Sequence, residues 1–143
     1  MKLKKSPDYE STTSYKLWIE VRDNNHNPPL STYGKMTIDI IDANDNPPVF
    51  DKIYYNATVL EDQFGSIFVT EVTASDVDSG DNGRVAYSII GGNEMNHFRI
   101  NAQGEITTRS SLDREEIDGY HLVIQAVDSV SGTLIFFNRI IHI

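Results

Sequence analysis

Acidic side chains spaced two residues apart give this chain its clearest chemical signal. Asp8 pairs with Glu10 and Asp76 with Asp78, while Asp42-Ala-Asn-Asp-Asn46 lies between the pairs and Asp128 beyond them. In extended backbone, residues i and i+2 project the same way, so each pair aims two carboxylates at one point. Carboxylates joined by the neutral oxygens of Asn44, Asn46 and Asn82 suit a hard cation. Calcium takes about six to eight oxygen ligands in flexible geometry, whereas magnesium is smaller and keeps its waters. With no cysteine and four scattered histidines (26, 97, 121 and 142), a zinc or copper centre has little to stand on. An EF-hand also fails. Counted from Asp76, the sixth position is Asp81 where glycine is required and the twelfth is Tyr87 where glutamate is required; from Asp42 these positions are Pro47 and Ile53. The ligands must therefore come from segments far apart in sequence. The alternative for the linker is a solvated polar turn, and for Asp113 and Glu115 alone that alternative is much stronger.

An internal repeat shows how such segments recur. Asp8, Glu10, Tyr15, Leu17, Ile19 and Asp23 fall on Asp113, Glu115, Tyr120, Leu122, Ile124 and Asp128, a constant shift of 105 residues without a gap. A period of that size is a domain rather than a short solenoid unit. The repeat keeps an apolar face at strand spacing, Tyr-x-Leu-x-Ile-x-Val/Ala, which a core requires. It also keeps three carboxylates, which no core requires.

The 143 residues have room for one ordinary domain and part of another. A formal net charge of -9 argues against nucleic acid, whose phosphates need a basic surface, and favours a cationic partner. The basic start Met1-Lys-Leu-Lys-Lys5 runs straight into Ser6-Pro7 with no apolar stretch, so it does not read as a secretory signal, and no segment reads as a membrane span. If the protein is extracellular, signal and anchor are expected on chain outside this sequence.

The elements that must position the acids are strands. Residues 15–21 and 36–41 alternate in hydropathy, with loop chemistry at 24–29 between them. Two prolines at 47 and 48 cannot join a sheet interior and mark a boundary. Beyond it, seven strands are expected at 49–59, 67–74, 84–89, 98–100, 105–108, 120–127 and 134–143, with turns at 62–65, 79–83, 91–93 and 101–104. Seven short strands in about a hundred residues predict an all-β, immunoglobulin-like Greek-key antiparallel β-sandwich. Two strands joined by a loop cannot close such a sandwich. Residues 1–46 are therefore expected to be the C-terminal part of a truncated domain plus a linker at 42–46, with exposed apolar surface or disorder. Residues 47–143 are expected to be one repeat without its own C-terminal linker.

Taken together, Asp8-Tyr-Glu10, Asp42-Ala-Asn-Asp-Asn46 before Pro-Pro-Val-Phe50, Asp76-Val-Asp78 with Ser-Gly-Asp-Asn-Gly83, Tyr87-Ser-Ile89, Leu112-Asp-Arg-Glu115 and Gln125-Ala-Val-Asp128 resemble the cadherin superfamily, in order and in spacing. The resemblance implies calcium held between successive domains. Asp8, Glu10, Asp42 and Asp45, the Asn44 side chain and the carbonyls of Ala43 and Asn46 would act from the upstream side. Asp76, Asp78, Asp128 and the Asn82 carbonyl would act from the following domain. The family also uses a glutamate on the upstream domain's first strand, which this chain lacks; Glu61 is its equivalent in the second domain. Glu61, Asp113 and Glu115 would then serve a next junction and Asp23 a previous one, as half-sites.

The resemblance further implies a cell-surface ectodomain that takes part in calcium-dependent cell–cell adhesion or recognition, with other cadherin ectodomains as homophilic or heterophilic partners. In that setting the Asn56-Ala-Thr58 sequon reads as an N-glycosylation site. Trp18 lies out of phase with Tyr15, Leu17 and Ile19 and is expected on the sheet surface; its mid-strand position does not match the N-terminal tryptophan of strand-swapping cadherins. A non-adhesive spacer repeat is the nearest rival. A metal-dependent hydrolase is the other, but no Ser-His-Asp pattern and no histidine near the acidic motifs supports it, and the chain is expected not to be an enzyme.

Overall fold

The computed structural model describes residues 5–23, 25 and 27–128, and the backbone of 137–142. Expectations for residues 1–4, 24, 26, 129–136 and 143, including the first part and last residue of the final predicted strand, lie outside the described residues. The chain divides into two compact units, Met1–Ala43 and Asn44–Ile143. All regular structure in the described residues is β, and no helix there is long and apolar enough to cross a membrane.

The first unit is a hairpin of β1 (Ser14–Asp23) and β2 (Leu30–Asp39), antiparallel, with Tyr15 opposite Ile38 and Leu17 opposite Met36. Its second strand starts six residues earlier than the hydropathy pattern predicts, because polar Ser31, Thr32 and Lys35 join the ladder without an apolar period to announce them. The alternating apolar side chains share one face, yet Tyr15, Ile19, Val21 and Met36 are all exposed. Trp18 points to the other face, 69% exposed, with the Lys35 Nζ 4.7 Å from its ring centre. On that same face the Tyr33 hydroxyl donates to Glu20 (3.0 Å) and Arg22 pairs with it (2.8 Å).

The second unit is a sandwich. One sheet has the order β4 (Tyr55–Asn56), β11 (Phe137–His142), β10 (His121–Asp128), β7 (Val85–Gly91); the other is β5 (Phe68–Glu71), β9 (Glu105–Thr108), β8 (Phe98–Ile100). Along β10 the period of two is complete: Leu122, Ile124, Ala126 and Asp128 are buried while the residues between them are not. These apolar side chains meet Val69, Phe98 and Ile106 of the opposite sheet in one core. Burying a Leu or Ile side chain stabilises by about 1.5–3 kcal/mol, so this stripe is a main source of the unit's stability.

Two predicted strands are broken, for one physical reason. The segment 49–59 divides into β3 (Val49–Phe50) and β4, and 67–74 into β5 and β6 (Ala74–Ser75), with β3 and β6 pairing as a separate ribbon. The chain changes partner at Val72–Thr73: the Val72 amide donates to Gly104 in the β8–β9 turn, while the next carbonyl, Thr73, accepts from Asp51 beside β3. Gly104 is needed there because a methyl at that position would overlap the Val72 carbonyl oxygen, and its positive φ of 85° is strained for other residues. β4 runs parallel to β11, an exception to the antiparallel pattern.

Candidate metal centre and family

The change of partner that breaks 67–74 also delivers the acids. Two tyrosine hydroxyls satisfy the backbone where the chain leaves one sheet for the ribbon. Tyr55 donates to the Asp51 carboxylate and accepts from the Thr73 amide (3.3 Å); Tyr87 accepts from the Ala74 amide (2.7 Å). Burial, reinforced by Asp51, pushes the Tyr55 hydroxyl up to about 12, so it remains a donor at any physiological pH. With Thr73 and Ala74 pinned, Asp76 and Asp78 follow β6 directly, and the chain returns as β7, whose first residue, Val85, lies opposite Asp128 on β10.

The acids of this end are buried. Asp78 is 7% and Asp128 3% exposed. Asp76 Oδ1 accepts from the Asp78 amide (2.9 Å), which folds the Asp-x-Asp segment on itself. Asp76 Oδ2 and Asp128 Oδ2 are buried with no hydrogen-bond partner among the described residues. Burial raises the Asp76 carboxyl above its ordinary value, and the negative charges of Asp78 and Asp128 push the same way. Buried carboxylate oxygens facing like charge are costly unless a cation or proton meets them, so the donor set fits a hard divalent ion.

The linker is tied to these acids through Asn46. The Asn46 amide group donates to Asp78 Oδ1 (2.6 Å) and to Asp45 Oδ1 (2.9 Å), and its backbone N–H donates to Asp78 Oδ2 (3.2 Å). Sequence reasoning valued Asn46 for its carbonyl and missed this bridge; its position between Asp45 and two prolines was the available signal. Gly83 was also passed over as turn punctuation. A methyl there would overlap the Asp78 carbonyl oxygen, so the 79–83 turn closes tightly only with glycine. In that turn the Asn82 amide donates to Ser79 (3.2 Å).

Asp8, Glu10, Asp23, Asp42 and Ala43 belong to the first unit. Asp8 accepts from the Ser11 hydroxyl (2.8 Å) and amide (3.3 Å), which hold its carboxyl below the ordinary value, and Glu10 is exposed in the same turn. Asp23 ends β1 and accepts from the Asn25 amide (2.8 Å). In the second unit, Glu61, Asp113 and Glu115 converge, with carboxylate oxygens within 4.8 Å of one another, all exposed. Glu61 accepts from the Arg114 amide (2.9 Å) and Asp113 from the Glu115 amide (2.9 Å), so backbone N–H groups hold them in place against their mutual repulsion. Asn56 is exposed on β4, one of the two edge strands of its sheet.

Residues 55–134 match the model of the cadherin domain. The chain belongs to the cadherin superfamily. It is 42% identical to human Protocadherin Fat 4 over 125 residues, covering 87% of this chain and 2% of that protein, and 42% identical to human Cadherin-23 over 123 residues, covering 85% and 4%. The chain thus spans only a few per cent of the length of these relatives. Among solved structures it is similar to mouse clustered PcdhgC3 EC1-3 (TM-score 0.91, 29% identity, 98% of this chain and 45% of that one). It is also similar to mouse Cadherin-23 EC22-24 (TM-score 0.88, 32% identity, 96% and 44%). The immunoglobulin-like sandwich is thus a cadherin ectodomain repeat, a fold of a non-enzymatic family.

Proposed function

We propose that this cadherin chain binds calcium at the junction around residues 42–46 and that the bound ions stiffen an extracellular rod serving cell–cell adhesion or recognition. The observation that carries the reading is the pair of buried carboxylate oxygens on Asp76 and Asp128, without a hydrogen-bond partner among the described residues, beside buried Asp78. The chain's own residues supply the rest: Asp8, Glu10, Asp42, Asp45, the Asn44 side chain and the Ala43 and Asn46 carbonyls from upstream, with the Asn82 carbonyl downstream. Asn46 orients Asp45 and Asp78, and the turn closed by Gly83 holds the Asn82 carbonyl. Calcium supplies the positive charge that turns mutual repulsion among these acids into bridges.

The converging Glu61, Asp113 and Glu115 act as a half-site for a following junction and Asp23 for a preceding one. Other cadherin ectodomains are the partners, homophilic or heterophilic, at the outer face of the plasma membrane, with Asn56 carrying an N-glycan. A spacer repeat that stiffens without touching a partner uses the same calcium chemistry, and beads coated with the complete array distinguish the two by whether they aggregate. Isothermal calorimetry of the chain with calcium tests the shared core of the reading. Heat of binding that disappears in Asp76→Ala and Asp128→Ala supports it, and unchanged binding in those variants removes it.

A further inference from the structure

The turn that carries the Asn82 carbonyl also holds an asparagine followed directly by glycine. Asn82-Gly83 is the chain's only Asn-Gly step, and glycine leaves the following amide nitrogen unshielded by any side chain. Asn82 is half-buried in a turn outside any strand, and the Gly83 amide enters no hydrogen bond among the described residues, so no ladder occupies it. Asn46, in the same acidic end, precedes proline, whose nitrogen has no proton to lose, and is inert to the same chemistry.

We propose that Asn82 deamidates, that bound calcium slows the reaction, and that the product weakens the site, so this repeat carries a chemical clock that runs when the junction is metal-free. The inference rests on the calcium reading above. The Gly83 nitrogen attacks the Asn82 side-chain carbonyl carbon; the new C–N bond closes a five-membered succinimide, the amide C–N bond breaks, and ammonia leaves with the Gly83 proton. Water then opens the ring at either carbonyl. Opening at the main-chain carbonyl yields isoaspartate, in which the backbone runs through the former side chain, one methylene longer, and the original Asn82 carbonyl becomes a free carboxylate. That lengthening falls between Ser79, which accepts the Asn82 amide, and Gly83, which fits against the Asp78 carbonyl with no room for a methyl. A carbonyl held by a cation cannot swing as ring closure demands, which is why calcium protects.

The test incubates the chain at neutral pH with calcium or with chelator, then follows residue 82 by peptide mapping and calcium affinity by calorimetry. Asn82 is expected to convert faster than every other asparagine, about tenfold faster without calcium than with it, and the aged protein to bind calcium about tenfold more weakly. Asn82→Gln is expected to hold its own starting affinity throughout. Equal conversion rates with and without calcium in a protein that binds it overturn the inference and leave the calcium reading standing, as does unaltered affinity after conversion. Fresh protein that binds no calcium overturns both.

Discussion

The hairpins β1–β2 and β10–β11 are one design in two settings. Their registers coincide under the 105-residue shift: Ile19 faces Gly34 as Ile124 faces Arg139, and Lys16 faces Thr37 as His121 faces His142. Yet Leu122, Ile124 and Ala126 are 0% exposed, whereas Ile19 and Val21 are 46% and 61% exposed. Pairing and hydropathy alone do not bury a strand. What differs is the second layer: β10 lies in a four-stranded sheet facing β5, β9 and β8, while among the described residues β1 pairs with β2 alone.

The largest expected difference between the two is in local stability. Backbone amides of β10 should exchange with solvent about 10³-fold or more slowly than those of β1, because only the former open with the global unfolding of a packed core. Uniform slow exchange through both hairpins in a dilute monomer would mean that the first unit folds independently. Substitution gives the same contrast in free energy. Ile124→Ala should cost about 2–5 kcal/mol in denaturant unfolding, and Ile19→Ala within about 0.5 kcal/mol.

The acids at the strand ends sharpen the comparison. Asp128 is buried beside Asp76 and Asp78, while Asp23 makes a local bond to Asn25. Asp128→Asn should therefore have two opposite effects: calcium affinity falls, while the metal-free fold gains about 1 kcal/mol as a buried charge leaves. Asp23→Asn should do neither. Asp45→Ala should weaken calcium about tenfold, since Asp45 and Asp78 share the Asn46 amide. Titration calorimetry and chemical unfolding read both quantities.

A smaller effect follows from protonation. Asp76 is raised by burial first and then by its acidic neighbours, so its folded value exceeds its unfolded one. The charged form then strains the metal-free fold at neutral pH, and acidification through the raised value relieves that strain. Calcium affinity should fall between about pH 7 and pH 5 as protons and metal compete for the same oxygens. An affinity constant over that window points instead to neutral carbonyl ligands.

Much of this was legible in the sequence because it repeats simple periods. The β10 stripe and the Asp-x-Asp pair each follow from local rules, and the structure bears out the all-β sandwich; its two units divide between Ala43 and Asn44, a few residues before the prolines expected to mark the boundary. What local rules could not give is where a strand leaves one sheet for another. Val72 and Thr73 are ordinary strand-forming residues, so nothing in their types announces the change of partner that Tyr55, Tyr87 and Gly104 stabilise from far along the chain. The Asn46 bridge escaped for the same reason, since its target, Asp78, is 32 residues away. The start of β2 escaped because its pairing is set by β1 and not by its own polar residues.

Small-angle scattering on two complete successive repeats, joined by the 42–46 linker and measured with calcium and after chelation, tests the central claim most directly. The account predicts a rigid, extended particle with calcium that becomes broader in its distribution of dimensions once the acids are left to repel. Identical scattering in the two conditions, from a protein shown by calorimetry to bind calcium, would contradict the stiffening mechanism.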